Sequence, residues 1–412
     1  MNILFIVPYV PNLIRVRPYN FIRYLAKRGH HITLATLWTN EGDLEDIKRL
    51  QREGIQVEAT HLPVWRSAVN SLQTLPSSKP LQSRYCWQPD LAKKLDTLFE
   101  SVNGRSPFDA IHIEHIRGAC YGLHLKPLLE AKYGNQRPAL IWDSVDCISL
   151  LFRHASNHSK SFKGRLMTQF ELKRTERYEA WLATQFDRVL LTSPLDRQAY
   201  LGLLSSEQAE RLQSILSVLP NGVDLDYFCP DTTVSRDPAT LVVSGKMSYH
   251  ANVTMVVNLV REVMPLVWEK RPDVKLEIVG KDPARNILAM AEHPQIIVTG
   301  TVDDIRPYLQ RATVSVAPVT YGAGIQNKVL EAMACGTPVV ATPQAASALT
   351  AVDGRDLLVG SELSQIADLI LKLINDTTLC KMIGENGYRY VTHQHNWAVI
   401  AKDLESYYQS SF

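Results

Sequence analysis

The stretch TVSVAPVTYGAGIQNKVLEAMACGTPVVAT (residues 313–342) decides how this chain folds. Its first run, TVSVAP (313–318), and its last, PVVAT (338–342), are short, rich in β-branched residues and apolar on both faces. Between them lie a loop with Gly322 and Gly324 and a helix expected from about Ile325, closed by Gly336-Thr337. Two such strands joined through a helix belong to a parallel sheet covered on both faces.

Two charges interrupt that helix. Lys328 and Glu331 stand among Val329, Leu330, Ala332 and Met333, three residues apart and therefore on one face. Gly lets the backbone approach a ligand with no Cβ in the way, and the first free N–H groups of a helix, backed by its dipole, suit a diphosphate. Lys328 would add a full positive charge there. An ionised Glu331 only accepts hydrogen bonds, and neighbouring ribose hydroxyls are a matched pair of donors. Taken alone, an exposed carboxylate with an ordinary lysine partner fits the same two residues.

The alternation continues on both sides of this stretch. Upstream of it, LVVSG (241–245), VKLEIVG (274–280) and QIIVTG (295–300) read as strands with helices between them. In the first half, strands are expected at 2–7, 31–36, 55–60, 109–114, 139–144, 188–193 and 215–220, with a helix over 18–29. LPNGVDLDYFCPDTTVSRDPAT (219–240) reads as a linker between two doubly wound units. NWAVIAKDLESYY (396–408) is an amphipathic helix beyond the last strand. The boundaries expected are 1–220 for a first, acceptor-binding domain and 221–389 for a second, donor-binding domain. The terminal helix, within 390–412, is expected to pack back on the first. Two facing sheets of this kind would enclose a ligand in a cleft beyond their strands' carboxyl ends.

Bulk properties narrow the function. A chain of 412 residues accommodates two domains, and 45% hydrophobic with 21% charged residues describes a globular protein. The net charge of +2 gives no argument for nucleic acid. Charge is nevertheless uneven: no acidic residue precedes Glu41, while Arg15, Arg17, Arg23, Lys27 and Arg28 do, and 153–174 is a second basic run. Either a solvated face or a surface for anionic headgroups or a phosphorylated substrate accounts for these runs. Six scattered cysteines without CxxC argue against a zinc site or disulfide framework and suit a reducing cytosol. The apolar N-terminus lacks a basic n-region and contains two prolines, so it reads as a first strand and loop. No apolar run reaches about 18 residues, the length that spans a bilayer. A cytoplasmic protein, free or attached to the membrane's cytoplasmic face, is the expectation.

GAGIQNKVLEAMACGTPVVAT resembles the donor-site motif of retaining family 4 glycosyltransferases of the GT-B fold. PNGVDLDYF (220–228), VVSGKMSYHANV (242–253) and VTGTVDDIRPYL (298–309) are similar to that family's interdomain, first donor-loop and GxV segments, in the family's order. Within the family the likeness is to bacterial exopolysaccharide and surface-glycan enzymes. The resemblance implies an α/β protein of two Rossmann-like domains. It implies sugar transfer from a UDP- or GDP-linked donor to a glycan, lipid-linked or small-molecule acceptor, without a metal. Glu331 matches the glutamate that holds the donor ribose; eight residues earlier, where relatives often carry a second glutamate, stands Ala323. Lys246 matches a diphosphate contact, with Gly245 beside it; Asn252 replaces a frequent lysine and reads instead as an N-cap for a helix from Val253. Lys328 then supplies the missing charge. Val302 corresponds to a nucleobase contact, Gly280 to a loop under the nucleotide, and Gly322, Gly324 and Ile325 to the sugar-phosphate loop.

The first half says less. Arg17, in the loop after the first strand, either approaches the donor phosphate or is a surface cation. His115, after the strand 109–114, matches a histidine that contacts the donor sugar, beside Glu114. Asp143 and Asp146 either orient an acceptor hydroxyl or cap the next helix. No DxD motif, glycosidase carboxylate pair or Ser–His–Asp set is present. In the mechanism the resemblance implies, the leaving diphosphate takes the acceptor's proton on the same face, so Lys246, Lys328 and His115 are the expected catalytic residues. A nucleotide-sugar 2-epimerase and an inactive sugar-nucleotide-binding module are the alternatives.

Overall fold

The computed structural model describes residues 1–100, 105–158, 162–321 and 324–410, with the backbone alone over 154–158 and 162–168. The chain divides into two compact units, one of residues 1–219 with 400–412 and one of residues 220–399. The expected end of the second domain at 389 falls inside the helix Thr377–Gln394, and the unit runs ten residues further.

The first unit is built on seven strands: β1 (Asn2–Val7), β2 (His31–Trp38), β3 (Gln56–His61), β4 (Ala110–Glu114), β5 (Ala139–Val145), β6 (Arg188–Leu191) and β7 (Leu216–Val218). They lie in the order β3-β2-β1-β4-β5-β6-β7, every pair parallel. β1, β4 and β5 are buried on both faces because helices cover both, and Phe5, Ile111 and Trp142 are fully buried. The terminal helix Trp397–Gln409 closes this unit from residue 400 on. Its Tyr408 is fully buried, with its hydroxyl 3.0 Å from His112 Nδ1, and its Glu405 pairs with Arg28.

The second unit carries β8 (Thr240–Ser244), β9 (Lys275–Val279), β10 (Ile296–Gly300), β11 (Val314–Ala317), β12 (Val339–Ala341) and β13 (Leu358–Val359). Their order is β10-β9-β8-β11-β12-β13, again all parallel. In both sheets the strand order reverses once, at β1/β4 and at β8/β11. Loops at the carboxyl ends of such a pair diverge and leave a crevice. The stretch 313–342 thus supplies β11, β12 and the helix Asn327–Ala334 between them.

The segment 219–240 is not a free linker. The Val223 N–H donates to His395 O (2.7 Å), and His395 Nδ1 lies 2.6 Å from Asn221 O. At Gly222 a Cβ would meet the Trp397 ring at 2.6 Å, so only glycine lets the chain pass there. Arg236 then donates to the carbonyls of Ala312 (2.7 Å) and Gly336 (2.6 Å), fastening the segment's far end to the second unit.

Candidate functional site

Four loops follow β8, β9, β10 and β11 at the carboxyl end of the second sheet, and they hold the residues singled out for the donor. The first two are locked together. Gly245 (φ +149°) follows β8 and Gly280 (φ +151°) follows β9, and a Cβ on Gly280 would lie 1.7 Å from Gly245 O. A Cβ on Gly245 would meet Asn252 Nδ2 at 2.7 Å. Gly280 therefore needs glycine for contact with the Gly245 loop, and Gly245 needs it for the Asn252 side chain packed on it. Lys246, next to Gly245, reaches toward Asp282 at 3.9 Å, both side chains more than half exposed. Its charge is available to a ligand. Val302 is half-buried against the unit's core.

The helix Asn327–Ala334 resolves the oddity of its charges. Val329, Leu330, Ala332, Met333 and Ala334 are buried against the core, while Lys328 and Glu331 are only partly covered. The helix begins two residues later than expected, with Gln326 at the cap position making no side-chain cap bond. Its first N–H groups are therefore not spent on a capping side chain. Asn327 Oδ1 is buried without a hydrogen-bond partner. Gly324 has φ +75°, a conformation glycine favours, and Ile325 packs on the core. Gly322 and Ala323 lie outside the described residues.

Asn252 does not cap a helix. The helix starts at His250 with Tyr249 at its cap, and Asn252 sits in the first turn. Its side chain donates to Lys246 O (3.0 Å) and accepts from Lys328 Nζ (2.6 Å). One amide thus holds the first loop and aims the second lysine. Burial lowers Lys328 to about 8, opposed by the nearby Glu331 carboxylate. Burial raises Glu331 to about 7, opposed by Lys328. Near neutrality both groups are poised to change charge when a ligand arrives. Sequence reasoning passed over Tyr321, whose ring stacks on His250 (centroids 5.4 Å apart) and whose hydroxyl lies 2.9 Å from His250 Nδ1 and 3.2 Å from Thr254 Oγ1. An aromatic residue directly before a Gly-rich loop was the available signal. A cavity of about 640 Å³, lined by Arg236, Thr313, Gly336 and Tyr388 among others, lies at the amino-terminal end of this sheet, away from these loops.

In the first unit the arginine reading needs correction. Arg17 is 3% exposed. Its Nε and Nη2 donate to Asp143 Oδ2 (2.7 Å) and Oδ1 (3.0 Å), and Nη1 donates to Leu219 O (2.9 Å). A guanidinium so enclosed fastens the ends of β5 and β7 and does not present its charge to a phosphate. Burial would raise the Asp143 carboxyl, but Arg17 and then His112 outweigh it and hold it at about 2. Asp143 and Asp146 do not cap the next helix either. Glu179 does so from a distant helix, accepting from the N–H groups of Ile148 (2.7 Å) and Ser149 (3.0 Å), while Asp196 accepts from that of Cys147 (3.0 Å). Asp146 accepts from Thr192 Oγ1 (3.0 Å), and burial together with Asp196 raises it to about 6.

His115 opens the helix His115–Tyr133 at φ +62°, an uncommon backbone for a residue with a Cβ. Val145, at the end of the neighbouring strand, has φ +70°. Two such residues side by side at the carboxyl end of a sheet are strain of the kind found at functional sites. Burial, reinforced by Arg117, drops His115 to about 3, so it is neutral, and its Nδ1 accepts from the Arg117 N–H (3.3 Å). Such an imidazole can hydrogen-bond a sugar hydroxyl but is not a cationic acid. No group of three or more His, Cys, Asp or Glu side chains that could hold a metal occurs among the described residues.

Comparison with known proteins relates part of the chain to a family. Residues 238–376 match the family model for glycosyl transferases group 1. The chain is similar to the capsular polysaccharide biosynthesis glycosyltransferase CapM of Staphylococcus aureus, 29% identical over 35% of this chain and 40% of that one. It is also similar to the phosphatidyl-myo-inositol mannosyltransferase of Mycobacterium tuberculosis, 28% identical over 49% of this chain and 56% of that one. The chain thus spans about half the length of the curated relatives it matches. Along its whole length it shares a fold with HepE of Anabaena, solved in complex with UDP (TM-score 0.68, 16% identity, 100% of both chains). Sucrose-phosphate synthase of Thermosynechococcus elongatus is comparable (TM-score 0.66, 17% identity, 99% and 98%). The fold is the two-Rossmann GT-B type, and the family resemblance read from the donor motifs holds over the matched segment.

Proposed function

From the match of residues 238–376 to the group 1 glycosyl transferase model, we propose that the chain is a retaining, metal-independent hexosyltransferase using a UDP- or GDP-linked sugar. One observation carries this reading: on a helix otherwise committed to the core, Lys328 and Glu331 stay partly open at the carboxyl end of the sheet, beside the interlocked Gly245 and Gly280 loops. Glu331 takes the ribose hydroxyls. Lys246, Lys328 and the helix N-terminus take the diphosphate, and Val302 lies under the base. The acceptor oxygen attacks the anomeric carbon as the bond to the diphosphate breaks, and the acceptor's proton passes to a diphosphate oxygen on the same face. The protein positions both sugars and stabilises charge growing on the leaving group, which two lysines and a helix dipole do without a metal. Neutral His115 holds a sugar hydroxyl.

A glycan or lipid-linked acceptor is the counterpart in this reading, supported by the similarity to a capsular polysaccharide glycosyltransferase and a phosphatidyl-myo-inositol mannosyltransferase. Of the basic residues before Glu41, Arg17 is buried on Asp143 and Arg23 and Arg28 pair with Glu53 and Glu405, which leaves little of that charge for a headgroup or a membrane surface. No helix among the described residues is long and apolar enough to cross a membrane.

The test is incubation of the purified protein with a panel of UDP- and GDP-hexoses, with and without chelator. Slow nucleotide release that an acceptor accelerates, and that chelator leaves unchanged, is the expected result. An isomerised donor would make the protein an epimerase, and binding without turnover would make it a sugar-nucleotide-binding module.

A further inference from the structure

Glu114 is the last residue of β4 and stands in register with Asp143 on β5. The two carboxyl groups do not share their surroundings equally. Asp143 holds the Arg17 fork and lies 3.4 Å from His112 Nε2. Glu114 is 3% exposed, and its Oε2 is buried with no hydrogen-bond partner. It occupies the cap position of the helix His115–Tyr133 yet makes no capping bond, so local structure does not explain it either. Buried polar atoms are nearly always hydrogen-bonded, and leaving one unmet is costly unless something else completes it.

We propose that Glu114 is a sugar-positioning residue, its carboxyl group hydrogen-bonded to a hydroxyl of a sugar bound at the carboxyl end of β4. The inference rests on the glycosyltransferase reading and deepens it. The charged and titratable groups that act on Glu114 are Asp143 on β5, Arg17 on the helix after β1, and Arg15 and Tyr9 between β1 and that helix. Burial and then the Asp143 charge raise its pKa well above the usual range, with Arg17 and Arg15 opposing. Burial thus favours the neutral carboxyl, which gives its proton to a hydroxyl oxygen as the ionised form cannot. A neutral amide at this position does the same work at every pH.

Nucleotide release from the productive UDP- or GDP-hexose, measured from pH 6 to 9 for wild type, Glu114→Gln and Glu114→Leu, tests the proposal. Octyl glucoside and octyl mannoside serve as acceptors, and calorimetry with free UDP and GDP follows the nucleotide handle. Glu114→Leu should lose at least tenfold in kcat/KM while free nucleotide binds as before. Glu114→Gln should keep most of the rate, because its amide N–H still donates to the sugar hydroxyl. A deficit already present in donor hydrolysis assigns the hydroxyl to the donor sugar; one that appears only with the glycosides assigns it to the acceptor. Leu and Gln variants that both match wild type overturn the proposal and leave the transferase reading standing. So does a Gln variant that still binds nucleotide but turns over as poorly as Leu. If Leu fails to bind nucleotide, the Gln variant decides: a rate near wild type supports the proposal, and a tenfold loss with nucleotide still bound overturns it. Wild type that releases nucleotide from no donor overturns both readings.

Discussion

Glu331 and Lys328 should each set one limb of a pH profile. In the proposed reading Glu331 accepts from both ribose hydroxyls at full strength only when ionised, so donor binding should rise as pH passes about 7. Lys328 attracts diphosphate only when protonated, so binding should fall as pH passes about 8. The dependence of kcat/KM on pH should be a narrow bell between them, since that parameter reports the free enzyme. Glu331→Ala removes charge-assisted hydrogen bonds worth about 1.5–3 kcal/mol each, so donor kcat/KM should drop roughly tenfold or more and the acid limb should vanish. A variant with wild-type kinetics would contradict the ribose role. Arg17 differs in kind. Arg17→Ala strands Asp143 in a dry interior, and losing one partner of a buried pair costs about 3–5 kcal/mol. Denaturant unfolding should register that loss, and Arg17→Ala combined with Asp143→Ala should recover part of it. The difference between the two arginine readings was not legible locally: a loop arginine after β1 looks solvated until β5 brings Asp143 beside it, 126 residues away.

Elements follow the same division. The strands of both sheets stand near where apolar, β-branched runs placed them, because a strand buried on both faces announces itself in composition. β13 escaped notice: it has two residues, Leu358 and Val359, after a charged turn. Asn252 was misread because Asn before apolar residues is the usual cap signal. The helix starts earlier, and the amide serves Lys246 and Lys328 across space. Glu179 was equally hidden, since its partners are N–H groups some thirty residues upstream. That remote cap has a measurable signature. Burial raises Glu179 from its ordinary 4.5 to about 7, with the Ser149 and Ile148 bonds opposing. The unfolded chain ionises first as pH rises, so this group's contribution to stability is complete below about 4.5 and is lost as pH climbs to about 7. In Glu179→Gln that slope should disappear from the pH dependence of the denaturation midpoint. An unchanged slope would mean that the carboxyl is ionised throughout.

At the scale of the molecule, each unit has its own core, and the first is completed by residues from the far end of the sequence. Tyr408 fills a fully buried position and bonds His112 from 296 residues away. Tyr408→Ala should cost about 3–5 kcal/mol, as truncation of a large buried aromatic does. Scanning calorimetry should show the first unit melting earlier and the second unit's transition unmoved; a uniform shift of both would contradict separate cores. The two loops pressed together at Gly245 and Gly280 have a consequence of another kind. No side chain can be introduced at Gly280 while the Gly245 loop stays as it is, because the Gly245 carbonyl fills the space where that side chain would begin. Anyone transplanting nucleotide preference into this scaffold should exchange the two loops as a single cassette, and a library that varies one loop alone will be enriched in chains that do not fold.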